Sequence, residues 1–178
     1  MQPPTPKPAW ETTPEPQAGR DADRAVTALY LTHYQPLVRM AALLVQDLAT
    51  AEEIVQDSFV AVHAAWRRRP DADQALCYLR RSVVNRCRSA LRRQHAVVDQ
   101  IAPRPVSDLP TGQDERSAFI SALWTLPPRQ REVMVLRYFA DLPATQIASA
   151  TGISEGAVKV YTARAMSSLR AELQKARD

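Results

Sequence analysis

Between residues 126 and 170 the chain reads LPPRQREVMVLRYFADLPATQIASATGISEGAVKVYTARAMSSLR, and one spacing inside it constrains the fold more than any other feature. Counting from Ala144, a small residue, Ala148, falls at the fifth place, Gly152 at the ninth and Val158 at the fifteenth. A small fifth residue lets two helices cross closely, the ninth makes the turn, and the fifteenth anchors the second helix to the core. Gly152 suits the turn because glycine takes φ > 0 without a side-chain clash. The spacing predicts a helix-turn-helix, whose second helix enters the DNA major groove.

The rest of the 178 residues also reads as helix. Only four glycines occur, and no alternating apolar/polar run is long enough for a sheet. The expected fold class is all-α, with two small helical domains joined by a flexible linker. A net charge of +4 and a pI near 9.4 permit a polyanionic partner without requiring one. Cys77 and Cys87 lie on one predicted helix, too far apart along it for a disulfide, and no CxxC or His-Cys spacing marks a metal site. No apolar run approaches the length of a membrane span and no signal peptide is visible, so a cytoplasmic protein with no membrane association is expected.

Residues 1–20 hold six prolines and little apolar material besides Trp10, so a disordered tail is expected. Residues 21–95 form the first helical domain. Its first helix should bend or restart at Pro36. A second helix is expected to start at Thr50, capped by a box formed with Glu53. Ala51, Val55, Phe59, Val62 and Trp66 make its buried stripe. A loop over 67–74 and a third helix over 75–94 follow. Residues 96–114, with Pro103, Pro105, Pro110 and Gly112, read as a linker. Helices over 115–125 and 128–139 then precede the helix-turn-helix pair, and 115–178 is the second domain, with Pro128 placed at a helix start.

Three faces carry the chemistry. On the third helix Leu76, Leu79, Val83, Cys87, Ala90 and Leu91 share one side, while Arg81, Asn85, Arg88 and Arg92 share the other. Six arginines and no acid fall between Tyr78 and His95. Arginines one turn apart repel, so this face serves something other than helix stability, and guanidinium groups around an asparagine suit phosphates and base edges. The second helix carries the opposite sign in Glu52, Glu53, Gln56 and Asp57, with Asp47 before them. Acids near a helix start also satisfy its dipole, but beside a nucleic-acid helix they fit a basic protein surface. The last helix opens on Ser154 as N-cap with Glu155 in the first turn. Val158, Met166 and Leu169 face inward, and Lys159, Tyr161, Thr162 and Arg164 point outward to bases and phosphates.

With LVRMAALLV, TAEEIVQDSFVAVHAAW, YLRRSVVNRCRSALRR and the 126–160 block in this order, residues 25–175 resemble an extracytoplasmic-function (ECF) sigma factor. These are small two-domain promoter-specificity subunits of bacterial RNA polymerase in the sigma-70 family. The resemblance implies that 21–95 is sigma region 2 and 115–178 is sigma region 4. It implies that Glu52, Glu53, Gln56 and Asp57 bind the β′ clamp helices of core polymerase, whose β subunit is a further partner. It implies that Arg81, Asn85, Arg88 and Arg92, with the 67–75 loop, capture the −10 promoter element as a melted strand. Of the aromatics nearby, Trp66 belongs by its place to the core, which leaves Tyr78 to stack. Lys159, Tyr161, Thr162 and Arg164 would read the −35 element as duplex. Promoter DNA and core polymerase are the implied partners, and an anti-sigma factor is common in the family. Two positions depart from the family pattern. Pro143 stands where Ser or Thr often opens the first helix of the motif, and Ala157 where Thr commonly precedes the valine, so no hydroxyl-to-phosphate contact is expected at Ala157.

No catalytic constellation is visible around His33, His63 or His95, so no enzyme, cofactor or metal is expected. Two alternatives fit parts of the chain. A LuxR-type regulator shares the C-terminal block but leaves residues 50–94 without a role. A protein-binding helical adaptor would treat both basic helices as solvated faces, and it predicts no salt-dependent DNA binding.

Overall fold

The computed structural model describes residues 15–66, 72–98 and 114–175, and within them it contains seven α-helices and no strand. In order these are α1 (Glu15–Val45), α2 (Leu48–Trp66), α3 (Ala72–Val98), α4 (Asp114–Thr125), α5 (Pro128–Tyr138), α6 (Ala144–Thr151) and α7 (Glu155–Lys175). Most of the expected tail, residues 67–71 of the expected 67–74 loop and most of the 96–114 linker lie outside the described residues, while 72–74, expected as loop, belong to α3.

α1 corrects two expectations. It begins at Glu15, inside the segment expected to be unstructured, and it runs through Pro36 without restarting. Proline inside a helix forfeits the bond to the carbonyl four residues back, at a cost of ~3 kcal/mol. Packing offsets this loss, because Leu29 precedes the proline and Leu37, Val38 and Met40–Val45 follow it, all buried. Six consecutive buried residues on one helix mean that it is covered on all sides. α1 meets α2 and α3 and also touches α5 at this end.

The cap of α2 lies three residues before the expected one. Asp47, not Thr50, is the N-cap: its carboxylate accepts the Thr50 backbone N–H at 2.8 Å and the Thr50 hydroxyl as well. Its carbonyl takes the first helical bond, from the Ala51 N–H at 3.0 Å. Gln46, at φ 61°, supplies the left-handed turn between α1 and α2. The buried side of α2 contains Ala51, Val55, Phe59, Val62 and Trp66 as the periodicity predicts, together with Ile54 and Ser58. α3 closes this unit with Ala75, Leu79, Val83, Val84, Cys87 and Ala90.

The second unit is built around α5, where Arg131–Leu136 are all buried. α7 packs on α4, α5 and α6. The helix-turn-helix is formed as the spacing predicts. Gly152 ends α6 at φ 73°, and its N–H bonds to the Ala148 carbonyl at 2.8 Å. Ser154 then caps α7 by accepting the Ala157 N–H at 3.1 Å. The two units meet where α6 lies on α3 and α5 on α1.

Candidate nucleic-acid and polymerase interfaces

The basic helix α3 presents an open groove of about 290 Å3 lined by Tyr78, Arg81, Ser82, Asn85, Arg86 and Ser89. None of these is a carboxylate. Arg81 and Asn85 are exposed, and the Tyr78 ring is half exposed along the groove. The lining combines cations, amide and hydroxyl donors with an aromatic face, the set that single-stranded nucleic acid needs for its phosphates and unstacked bases. Behind the groove Ser82 donates to Ser58 Oγ at 3.2 Å, and Ser58 donates to the Ile54 carbonyl at 2.8 Å, fixing α3 against α2.

The four side chains expected to act together do not share one environment. Arg81 and Asn85 face the groove. Arg88 turns away: its side chain is 20% exposed and its guanidinium is held by the second unit. Its Nε and one terminal nitrogen donate to both Glu132 oxygens at 2.6 and 2.7 Å, and that same nitrogen reaches the Thr151 carbonyl at 2.8 Å. Arg92 stands between the two environments, donating to Ser89 Oγ at 2.9 Å on the groove side and lining the cleft that contains Arg88.

Two further contacts tie α3 to α6. Arg80 donates to Gln146 Oε1 at 3.1 Å, and Cys77 Sγ lies 3.5 Å from Ser149 Oγ. Burial lowers Arg80 below the ordinary arginine value; burial first and then Arg80 lower the neighbouring His33. The first helix of the helix-turn-helix is thus engaged with the basic helix of the other unit.

On α2, Glu52, Glu53, Gln56 and Asp57 are all exposed on one side. Asp57 accepts from Arg86 at 3.0 Å, and Gln56 donates to the Tyr34 hydroxyl at 3.4 Å. Tyr30, Tyr34 and Phe59 cluster beside them, with the two tyrosine rings stacked at 4.5 Å. The acidic face therefore borders an aromatic patch that periodicity alone did not mark. His63 has a carboxylate partner too far off in sequence to be noticed: Asp23, at 2.7 Å, both side chains exposed.

Along α7, Lys159 and Arg164 are exposed as predicted. Tyr161 is not an outward residue; it packs half-buried against the core. The Thr162 hydroxyl donates to the Val158 carbonyl at 2.8 Å, which occupies its one donor. Val160, which sequence reasoning passed over, is 48% exposed between Lys159 and Arg164. At α6, Pro143 is the N-cap and no side chain caps the helix.

Glu132 was also missed. It sits in the apolar run REVMVL, is 4% exposed, and accepts from Arg129 at 3.3 Å in addition to Arg88. An acid inside a buried run was the available signal, since buried carboxylates require partners. Among the described residues no group of three His, Cys, Asp or Glu side chains could hold a metal ion, and no helix is long and apolar enough to cross a membrane.

An all-helical chain with a basic groove, an acidic face and a formed helix-turn-helix has the make-up of a helix-turn-helix transcription protein. Residues 29–97 match the family model for sigma-70 region 2, and residues 116–169 match that for sigma-70 region 4. The chain is 31% identical over 145 residues to the RNA polymerase sigma-E factor of Streptomyces coelicolor, covering 80% of this chain and 82% of that protein. It is 31% identical over 148 residues to the ECF RNA polymerase sigma factor SigM of Mycobacterium tuberculosis, covering 82% and 75%. Among solved structures it is similar to CnrH in complex with the cytosolic domain of CnrY, with a TM-score of 0.68, 26% identity and coverage of 89% and 95%. The fold is also that of RpoE in complex with the anti-sigma factor NepR from Bartonella quintana, with a TM-score of 0.71, 22% identity and coverage of 83% and 96%. The chain belongs to the sigma-70 family of RNA polymerase sigma factors, in its ECF group. Its function is promoter-directed initiation of transcription, and the family consists of non-enzymatic regulatory proteins.

Proposed function

We propose that residues 21–95 dock this chain on core polymerase and hold the −10 strand, while residues 115–178 hold the −35 duplex. The groove of Tyr78, Arg81 and Asn85 carries this reading, because a donor-rich lining with no carboxylate suits a single strand. Glu52, Glu53, Gln56 and Asp57 would meet the β′ clamp helices by charge complementarity. Lys159 and Arg164, flanking Val160, would reach the major groove, while Tyr161 and Thr162 would position the helix rather than read bases. Arg88 and Arg92 would join the −10 contacts once α3 and α5 part.

The mechanism is assembly. Binding energy from two DNA elements and the polymerase surface favours the strand-separated state, and an unstacked base is held against an aromatic face. Such a chain works in the cytoplasm. An anti-sigma partner is part of the proposal, supported by the two similar proteins whose structures contain CnrY and NepR.

Run-off transcription with purified bacterial core polymerase, with and without the chain, on a library of promoter-bearing DNA tests the reading. Transcripts from a discrete promoter class only in its presence are expected. Specific duplex binding by the chain alone, with no stimulation of core polymerase, would instead make it an autonomous helix-turn-helix regulator.

A further inference from the structure

Between α3 and the first turn of α5 lies a cleft of about 200 Å3, the space of roughly seven water molecules at ~30 Å3 each. Four guanidinium groups line it, Arg88 and Arg92 from α3 and Arg129 and Arg131 from α5, with Glu132 as the single carboxylate. Glu132 is already engaged by Arg88 and Arg129 through three hydrogen bonds. Arg131 is 8% exposed, and its guanidinium has no hydrogen-bond or ion-pair partner among the described residues. Arginine cannot escape by losing its proton, so a guanidinium at the wall of this cleft with no protein acceptor is left to water or to a bound anion. Burial does pull it below the ordinary arginine value, the direction expected of a cation held away from water.

The α5 terminus adds donors of its own. Pro127 is the N-cap, Pro128 opens the helix, and no side chain caps it. The first α5 N–H to find an acceptor is that of Arg131, bonded to the Pro127 carbonyl at 3.0 Å, which leaves the N–H groups of Arg129 and Gln130 without one inside the helix. Uncapped helix N–H groups beside an unpartnered buried arginine call for an anion with several oxygens. A single carboxylate would leave most of these donors unmet.

We propose that this cleft is a binding site for a small oligophosphate, either free or as the phosphate chain of a nucleotide whose base stays outside. The ligand bridges the two units, because Arg92 comes from one and Arg131 from the other. The site adjoins the α3 groove and shares Arg92 with its edge.

Isothermal titration of the full-length chain with tripolyphosphate, and separately with ATP, tests this. The variants are Arg131→Gln, Arg92→Gln and, as a surface control, Arg170→Gln. Saturable binding of one tripolyphosphate per chain is expected, weakened roughly tenfold or more by each cleft variant and unchanged in the control. Arg92 is exposed, so Arg92→Gln keeps the test valid if Arg131→Gln fails to fold. Tighter binding of ATP than of tripolyphosphate identifies the nucleotide as the source, and equal or weaker binding identifies the free anion. Equal affinity in all variants, or no saturable binding, overturns the site. Loss in Arg131→Gln alone, with a folded Arg92→Gln unaffected, overturns its two-unit construction. If no oligophosphate binds but Arg131→Gln weakens binding of a short DNA duplex, the guanidinium serves the DNA backbone and the proposal fails.

Discussion

Arg81 and Arg88 lie within one helical sector of α3, and although Arg88 also donates to Asn85 at 3.4 Å, their environments differ. Arg81 and Asn85 face an open groove without a carboxylate, and Arg88 is committed to Glu132 and the Thr151 carbonyl across the unit boundary. Position on the wheel is therefore a poor guide to what an arginine does. Its stem is long enough to reach sideways, and the nearest carboxylate decides where it goes.

The sharpest way to break this contrast is Arg88→Ala. Glu132 would be left 4% exposed with only Arg129 as partner. Removing one member of a buried pair strands the other charge, so a loss of about 3 kcal/mol in urea-induced unfolding of the full chain is expected. Glu132→Gln keeps the volume and removes the charge. A double-mutant cycle between the two should return a coupling of about 1.5–3 kcal/mol. A coupling near zero would show that the contact between the units contributes nothing to stability.

The groove side should respond in the opposite sense. Tyr78 is 48% exposed, so Tyr78→Ala should leave stability nearly unchanged while weakening binding of a −10 single strand in the polymerase complex by about 1–3 kcal/mol. Tyr78→Phe keeps the ring and should restore that binding. Equal loss in both variants would mean that the hydroxyl, rather than stacking, carries the effect.

Arg86 gives the smallest electrostatic effect. It pairs with Asp57 at 3.0 Å, as tight a contact as many buried ones, but the two side chains are 40% and 67% exposed. Solvent screening holds such a pair to roughly 0–1 kcal/mol. Arg86→Ala should therefore shift the unfolding midpoint far less than Arg88→Ala. A comparable shift would show that burial does not set the worth of these two arginines.

What could be read from the sequence follows the range of the interaction responsible. The Gly152 turn, the Ser154 cap and the α2 stripe depend on residues a few positions apart, and they stand as read. Pro36 was misjudged because a local penalty is visible in sequence, while the packing of Leu37–Val45 that outweighs it is not. Thr50 lost the cap to Asp47, three residues earlier, since either residue type can fill it and only the backbone path selects one. At the candidate site the exposed positions Lys159, Arg164, Arg81 and the acidic face were legible from periodicity. Tyr161 was not, because whether a boundary residue turns inward depends on the helices packed against α7. Glu132 escaped for the same reason, as its partner Arg88 lies 44 residues away.

The two cysteines of α3 extend the comparison to groups that carry no charge at neutral pH. Cys77 is exposed and Cys87 is buried. Burial, with Glu132 adding to it, pushes the Cys87 thiol up to about 12. At pH ~8 roughly one molecule in ten thousand would then hold it as the reactive thiolate. An alkylating reagent should modify Cys77 and leave Cys87 intact until the chain unfolds, a difference that peptide mass analysis reads directly. The sign of the linked pH effect follows from the raised value. The unfolded thiol titrates near its ordinary value of 9.0 and the folded one at about 12, so the contribution is full below about pH 9 and is lost as the pH rises toward 12. Cys87→Ala should remove that alkaline limb from the stability profile while leaving the rest in place. Rapid alkylation of Cys87 in the native chain would mean that α3 does not keep this face closed.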